Sequence, residues 1–400
     1  MDEILNPFMP GAGIQPPELT GRDQFLQEAT TTIKRAKANR FGKSFIAVGL
    51  RGVGKTVLLN KVKEIAEDVS CKSALIEVHE DKKLPALLVP ALRKILLDLS
   101  RAERLSSNVS RALRVLKGFV NAIHVSYGDI DFGLSIDPER GVADSGDLEI
   151  DLPDLFSVVG KAAKDNNTAI ILILILDEIQ YLSEKEMSAL VMSIHRASQE
   201  NLPIVLMGAG LPLLVGKMGE SKSYAERLFT FPEVGALTFE DACTAINAPV
   251  QREGAEFTKD ALLAIFSLTQ GYPYFLQEWA YVCWNVAKNR IITKDDVDKS
   301  TPNVIYRLDE SFFRVRFDRL TPREKQYLRA MAELGHGPHR SGDIAEVLGV
   351  PSTTLGPWRS KLISKGMVYS PSFGDTAFTV PLFDQYMKRA MSFSKWNDVS

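Results

Sequence analysis

One turn limits what this chain can fold into more than any other stretch. Phe45-Ile46-Ala47-Val48 is a run of β-forming apolar residues that enters Gly49, and Lys55-Thr56-Val57-Leu58-Leu59 beyond it is helix-forming. Between them Gly49-Leu50-Arg51-Gly52-Val53-Gly54-Lys55-Thr56 fits the phosphate-loop pattern G-x-x-x-x-G-K-[ST]. The chemistry requires this spacing. Glycines let the backbone curl around a phosphate with its N–H groups turned inward, and the following helix adds the positive end of its dipole. The expected nucleotide contacts are Gly49, Arg51, Gly52, Val53, Gly54, Lys55, Thr56 and Val57. Lys55 would reach the terminal phosphates and the Thr56 hydroxyl would hold Mg²⁺. The pattern admits ATP or GTP. The alternative is a glycine turn with no ligand.

At 400 residues the chain is too long for one ordinary core, so two or three domains are expected. With 45% hydrophobic and 24% charged residues it has the composition of a globular protein rather than a disordered one. A formal net charge of −2 leaves no global basic footprint, so any nucleic-acid surface has to be local. Cys71, Cys243 and Cys283 lie too far apart in sequence for a metal or redox pair and read as buried free thiols. The start, MDEILNPFMPGAG, lacks the charged-then-apolar build of a secretion signal. The longest apolar run, Ala169 to Leu176, is far short of a membrane span. These features point to a cytoplasmic protein with no membrane partner.

Residues 1–18 carry four prolines and read as an extended arm. A helical pattern runs from Gln24 to about Ala38, with Thr20 or Asp23 as its cap. After the phosphate loop a helix is expected over Lys55–Glu67, a strand over Ser73–Val78 and a long helix from Leu84 towards Leu99. Residues 100–150 read as an insertion of unassigned role. Within it Arg101–Val120 is helical, His124–Ile136 alternates like a hairpin, and Pro138–Asp147 is a loop. His79 and His124 are isolated, and read as ordinary surface or core residues.

A helix over Asp154–Asp165 leads to Thr168–Leu176, an unbroken apolar strand of the kind buried on both faces of a parallel sheet. It ends in Asp177-Glu178, where open α/β sheets place their ligand crevice. Asp177 would orient Mg²⁺ or its waters, and Glu178 would polarise the attacking water. The phosphate loop and this acidic pair should meet across adjacent strand ends. Ser183 and Glu186 form a capping box for a helix to Gln199, and Leu202–Met207 reads as another buried strand.

From Leu237 the pattern is helical, over Thr238–Ala248, Thr258–Leu268 and Tyr272–Ala287. A connector helix over Pro302–Phe317 follows. Then come helices over Thr321–Leu334, Asp343–Leu348 and Thr354–Lys365, and a hairpin over Met367–Val380 turning at Gly374-Asp375. Three helices and a hairpin make the winged helix-turn-helix pattern. Arg359, Lys361 and Lys365 on the third helix, with Arg340 before it, are the candidate contacts to double-stranded DNA. Docking of protein is the other use of such a module, and Asp343, Glu346 and Asp375 dilute its positive charge.

With these pieces placed, residues 18–390 resemble an AAA+ P-loop ATPase. The chain is most similar to the origin-recognition and archaeal-type branch and to the signal-transduction ATPases with numerous domains. Gly49–Thr56 matches the family's first nucleotide motif, and Leu172–Glu178 with Ile179-Gln180-Tyr181-Leu182 matches the second. Gly21-Arg22-Asp23 is similar to the box that lies near adenine in this family, which implies ATP. Arg227, before Phe229-Thr230-Phe231-Pro232, falls where the family places an arginine on the γ-phosphate, often that of a neighbouring subunit. Gly271-Tyr272-Pro273 resembles the glycine-x-proline motif of the helical lid, which puts Pro273 beside the nucleotide.

The resemblance implies an α/β parallel-sheet P-loop core over 19–236, a helical lid over 237–300, a connector helix over 301–319 and an α+β winged-helix domain over 320–392. Two departures stand out. Gly208-Ala209-Gly210 lacks the polar side chain usual after the fourth strand, and Tyr274 and Gln277 stand where lid helices often have arginine. Both imply slow hydrolysis. The expected function is a slow ATP-dependent switch using ATP, ADP and Mg²⁺, coupled to DNA through the winged helix. The alternative is a signalling or scaffold ATPase that forms homo-oligomers with ATP and docks protein. A small-molecule kinase fits less well, because helices rather than a substrate site follow Leu237.

Overall fold

The computed structural model of the protein describes residues 1–102, 107–124, 137–164, 170–372 and 374–392. The expected hairpin over 124–136 lies almost wholly outside the described residues, and so does the start of the expected strand at Thr168. Contacts divide the chain into two compact units. One comprises Arg22–Gly49 and Lys55–Val234, and the other Met1–Gly21, Leu50–Gly54 and Gly235–Ser400.

The first unit is a parallel sheet with its helices. In chain order it contains α1 (Asp23–Lys37), β1 (Ser44–Val48), α2 (Lys55–Asp68), β2 (Lys72–Glu77), α3 (Leu84–Ala102), α4 (Ser107–Ala122) and α5 (Leu148–Lys164). There follow β3 (Leu172–Asp177), α6 (Glu184–Gln199), β4 (Ile204–Gly210), α7 (Leu214–Ser221), α8 (Ala225–Leu228) and β5 (Phe229–Thr230). The sheet order is β2-β3-β4-β1-β5 and every pairing is parallel. Each residue of β3 and β4 is buried, as an uninterrupted apolar strand with both faces covered must be. The register aligns Val48 with Gly210 and Leu176 with Gly208, so the C-terminal ends of β1, β4 and β3 form one edge.

Three local expectations are corrected. β1 and β3 are not neighbours, because β4 lies between them. Neither Thr20 nor Asp23 caps α1: Arg22 holds the cap position without a side-chain capping bond, and the Thr20 hydroxyl donates to Asp241 at 3.1 Å. Helix α5 starts at Leu148, six residues earlier than expected. Asp151 secures its first turn by accepting from the N–H groups of Ser145 and Gly146 and from the Ser145 hydroxyl, and the helix runs on through Pro153. The capping box at Ser183 forms as read.

The second unit contains α9 (Phe239–Arg252), β6 (Glu256–Phe257), α10 (Lys259–Thr269), α11 (Pro273–Val286), β7 (Ile291–Ile292) and α12 (Lys294–Arg307). A π-helical turn, Leu308–Phe313, joins α12 to α13 (Arg314–Phe317), so the connector helix begins well before Pro302. Its early start follows from a capping box, Thr293 with Asp296. Next come α14 (Pro322–Leu334), β8 (His339–Arg340), α15 (Ser341–Leu348), α16 (Leu355–Ser364), β9 (Val368–Tyr369), β10 (Asp375–Phe378) and α17 (Phe383–Ala390). Three helices with an antiparallel sheet in the order β8-β10-β9 reproduce the expected winged-helix order. Strand β8 and helix α17 are additions to it.

Residues 237–300, 301–319 and 320–392 share one core. Phe313, from the π-helical turn, stacks on Tyr386 of α17 at 5.2 Å and packs against Phe275 of α11 at 6.2 Å. The N-terminal arm belongs to the same unit. Phe8 is fully buried in that core, Asn6 donates to the Tyr281 carbonyl at 3.0 Å, and the Trp284 indole donates to the Asp2 carbonyl. One fully buried phenylalanine contributes about 2–3 kcal/mol, enough to pin a segment with only one short 3₁₀ turn of its own. Cys71 and Cys283 are buried, and burial pushes the Cys283 thiol up to about 12, so it stays protonated. Among the described residues no helix is long and apolar enough to cross a membrane.

Candidate nucleotide site

The site is built at the aligned strand ends of the first unit. Gly49 extends the β1–β4 ladder by donating to the Gly210 carbonyl at 3.1 Å. Gly52 and Gly54 have φ of +83° and +92°, values that side-chain-bearing residues rarely adopt. A Cβ at Gly54 would meet nothing within 4 Å, so glycine is needed there for backbone conformation rather than for room. Helix α2 begins at Lys55. That ammonium is only 6% exposed and donates to the Gly49 carbonyl at 2.9 Å, which folds it back over the loop.

The acidic end of β3 reaches this loop. The Thr56 hydroxyl donates to Asp177 Oδ2 at 2.6 Å, and the Glu178 N–H donates to Asp177 Oδ1 at 2.8 Å. Asp177 is 3% exposed, and burial pushes its carboxyl above the usual carboxylate range while the Thr56 hydroxyl bond pulls the other way. A buried carboxylate beside a hydroxyl is a hard-oxygen donor set that a divalent cation would stabilise in its ionised form. The loop and the acidic pair thus meet although β4 separates their strands.

Bare glycines at the end of β4 make that meeting possible. A Cβ on Gly208 would lie 2.3 Å from Ile179 Cδ1 and 2.9 Å from the Leu176 carbonyl. One on Gly210 would lie 2.7 Å from Leu214 Cδ2 and 2.8 Å from Gln180 Oε1. The missing polar side chain is therefore a packing requirement of this fold. Glu178 itself sits in the left-handed region at φ +54° and opens a 3₁₀ turn over Ile179–Tyr181. Its carboxylate accepts from the Gln180 side-chain amide. Gln180 was not among the residues singled out from sequence. Its signal is one polar residue inside the otherwise apolar Ile179-Gln180-Tyr181-Leu182.

Residues 18–207 match the profile of the AAA ATPase domain family. That span, just under half of the chain, is similar to the family. A second match, over residues 310–387, is to a domain family of unknown function. A protein of Methanocaldococcus jannaschii described as an uncharacterized HTH-type transcriptional regulator is 24% identical over 214 residues, 52% of this chain and 52% of that protein. The chain thus spans about half the length of that curated relative. The Walker-type ATPase of Pyrococcus abyssi has the same fold, with a TM-score of 0.58 over 92% of this chain and 96% of that one at 14% identity. The Orc1 protein of Aeropyrum pernix, solved in complex with DNA, aligns over 94% of this chain and 93% of that one at 15% identity, with a TM-score of 0.45.

The remaining candidate residues fall outside this cluster. Arg227 is exposed on α8, and its backbone N–H donates to the Tyr224 carbonyl. Gly21 has φ +67°, and a Cβ there would lie 2.7 Å from Asp241 Oδ2, so close packing on α9 requires glycine. Arg22 holds the N-terminal cap position of α1, in the first unit. Pro273 is the first residue of α11. The loop tip, Leu50–Gly54, shares the second unit with Gly21 and α11. There the Tyr274 N–H donates to the Gly52 carbonyl at 3.4 Å, the Arg51 N–H to the Thr379 carbonyl at 3.3 Å and Arg51 Nε to the Gly366 carbonyl at 3.4 Å.

The basic candidates of the winged-helix region divide into two pairs. Arg359 donates to the Thr376 hydroxyl at 2.7 Å, the Ser370 hydroxyl at 2.6 Å and the Asp375 carbonyl at 2.9 Å, and so ties α16 to the hairpin. Lys365 pairs with Glu324 at 2.7 Å and donates to the Arg319 carbonyl. Arg340 and Lys361 are exposed.

Proposed function

We propose that the AAA ATPase-like domain binds ATP with Mg²⁺, hydrolyses it slowly, and by its occupancy sets whether the winged-helix region engages double-stranded DNA. The observation that carries this reading is the Thr56–Asp177 hydrogen bond, which joins the phosphate loop to the acidic pair. Amides of Gly52, Val53, Gly54, Lys55 and Thr56 would hold the phosphates, Lys55 would neutralise the terminal ones, and Thr56 with Asp177 would hold the cation. When bound, Mg²⁺ supplies charge neutralisation on the phosphate oxygens. Glu178 takes the proton of the attacking water, and the phosphoryl group leaves ADP for that water's oxygen. Hydrolysis is slow in this reading because no polar side chain at the end of β4 assists the water.

The loop tip supports the switch. The Arg51 N–H, one residue before the amides that would hold the phosphates, donates to the Thr379 carbonyl through a long, weak bond. In this reading a loop reshaped by phosphate would alter the neighbouring Arg51 contact, which links occupancy to the hairpin bearing Thr379. The relative's description as an HTH-type transcriptional regulator supports DNA as the partner. The test is calorimetry with ATP, followed by fluorescence anisotropy on duplex DNA with ATP, ADP or neither. Equal DNA affinity in all three states would reject the coupling.

A second reading has its own observation. Because Arg359 and Lys365 serve the fold, the DNA face rests on Arg340 and Lys361, and a protein-docking module in a self-associating ATPase needs no more charge than this. Light scattering across the three nucleotide states separates the two readings.

A further inference from the structure

We propose that Gln180 is a positioning residue that holds the Glu178 carboxylate in place by tying it to the end of β4. The inference rests on the reading of Glu178 as the base that accepts a proton from water. Gln180 is 5% exposed, and its side chain joins two elements. Its Nε2 donates to Glu178 Oε2, and its Oε1 accepts the Leu211 N–H at 3.1 Å. Its backbone carbonyl also accepts from Lys217 Nζ at 3.0 Å, which fixes the turn to α7.

A buried glutamine must find partners somewhere, so satisfaction alone would not single it out. Three features go further. The donor is spent on the carboxylate read as the base rather than on a backbone carbonyl. Glu178 is held in a left-handed backbone conformation, which persists only where its surroundings fix it. Gly210 leaves the room in which Gln180 Oε1 lies, since a Cβ there would stand 2.8 Å away. The amide thus carries the position of β4, through the Leu211 N–H, directly to the carboxylate. A strand end made of glycines cannot do so with a side chain of its own.

The test separates anchoring from packing. Gln180→Glu keeps the volume and the acceptor for Leu211 but removes the donor. We expect its ATP affinity by calorimetry to stay within about threefold of the parent while turnover falls at least roughly tenfold, the range of a misplaced general base. The exchanged pair, Glu178→Gln with Gln180→Glu, restores the bond with its polarity reversed. It should recover most of the thermal midpoint lost in Gln180→Glu alone without recovering turnover. Hydrogen exchange without nucleotide should find the Leu211 amide protected in the parent and in Gln180→Glu, and released in Gln180→Met. Parental turnover in Gln180→Glu, additive midpoint losses in the exchanged pair, or an unprotected Leu211 amide in the parent would each overturn the proposal. Glu178→Gln hydrolysing at the parental rate would instead remove the reading of Glu178 on which it stands.

Discussion

Lys55 is 6% exposed at the mouth of the phosphate loop, where its ammonium is held by the Gly49 carbonyl and is in place to meet a phosphate. A charge-assisted bond contributes about 1.5–3 kcal/mol, so Lys55→Ala should weaken ATP binding by roughly ten- to a hundredfold in calorimetry. Affinity unchanged by that substitution would count against the loop as a phosphate site. Arg359 and Lys361, two residues apart, should behave oppositely. Arg359→Ala removes three hydrogen bonds within the winged-helix region and should lower unfolding stability in urea by about 1–2 kcal/mol. Lys361→Ala should leave stability within about 0.5 kcal/mol and flatten the salt dependence of DNA binding by about one unit of slope. A DNA salt slope indifferent to Lys361 would favour protein docking.

Between elements, helices α5 and α6 are joined by an ion cluster that gives a pH prediction. The ammonium of Lys161, with Arg196 and the Ser157 hydroxyl, holds the Glu200 carboxyl down to about 2, against an ordinary value of 4.5. Its contribution to stability is complete above the ordinary value and is lost as pH falls from 4.5 through about 2. Allowing for solvent screening at a carboxylate 27% exposed, that contribution is about 1 kcal/mol. Glu200→Gln should therefore unfold at lower urea concentration at pH 7 and lose less on acidification than the parent. Equal acid sensitivity of the two proteins would show that the cluster does not stabilise the helix pair. At the end of β4, Gly208→Ser should destabilise rather than restore a polar helper, because its Cβ would meet Ile179 and the Leu176 carbonyl.

For the whole molecule, Arg227 decides whether hydrolysis requires a second copy. It lies exposed on α8. If it acts on a neighbouring subunit, specific activity should rise with protein concentration. Arg227→Ala should abolish that rise while leaving ATP affinity unchanged, with light scattering reporting assembly in parallel. Activity independent of concentration, with the protein monomeric in ATP, would exclude such a role.

The sequence by itself determined the strand–turn–helix of the phosphate loop, the acidic end of β3 and the capping box at Ser183. These depend on residues a few positions apart, whose steric and hydrogen-bonding preferences act before any long-range contact forms. Only the tertiary structure decided that β4 lies between the two motif-bearing strands. It likewise decided that Gly208 and Gly210 are small because Ile179 and Gln180 pack on them, and that Phe8 pins the arm. It also set Arg359 and Lys365 to work inside the fold, while Lys361 stays exposed. A side chain's partner across a sheet or a core depends on segments brought together from far along the chain. No local pattern records which of two equally basic residues will find one.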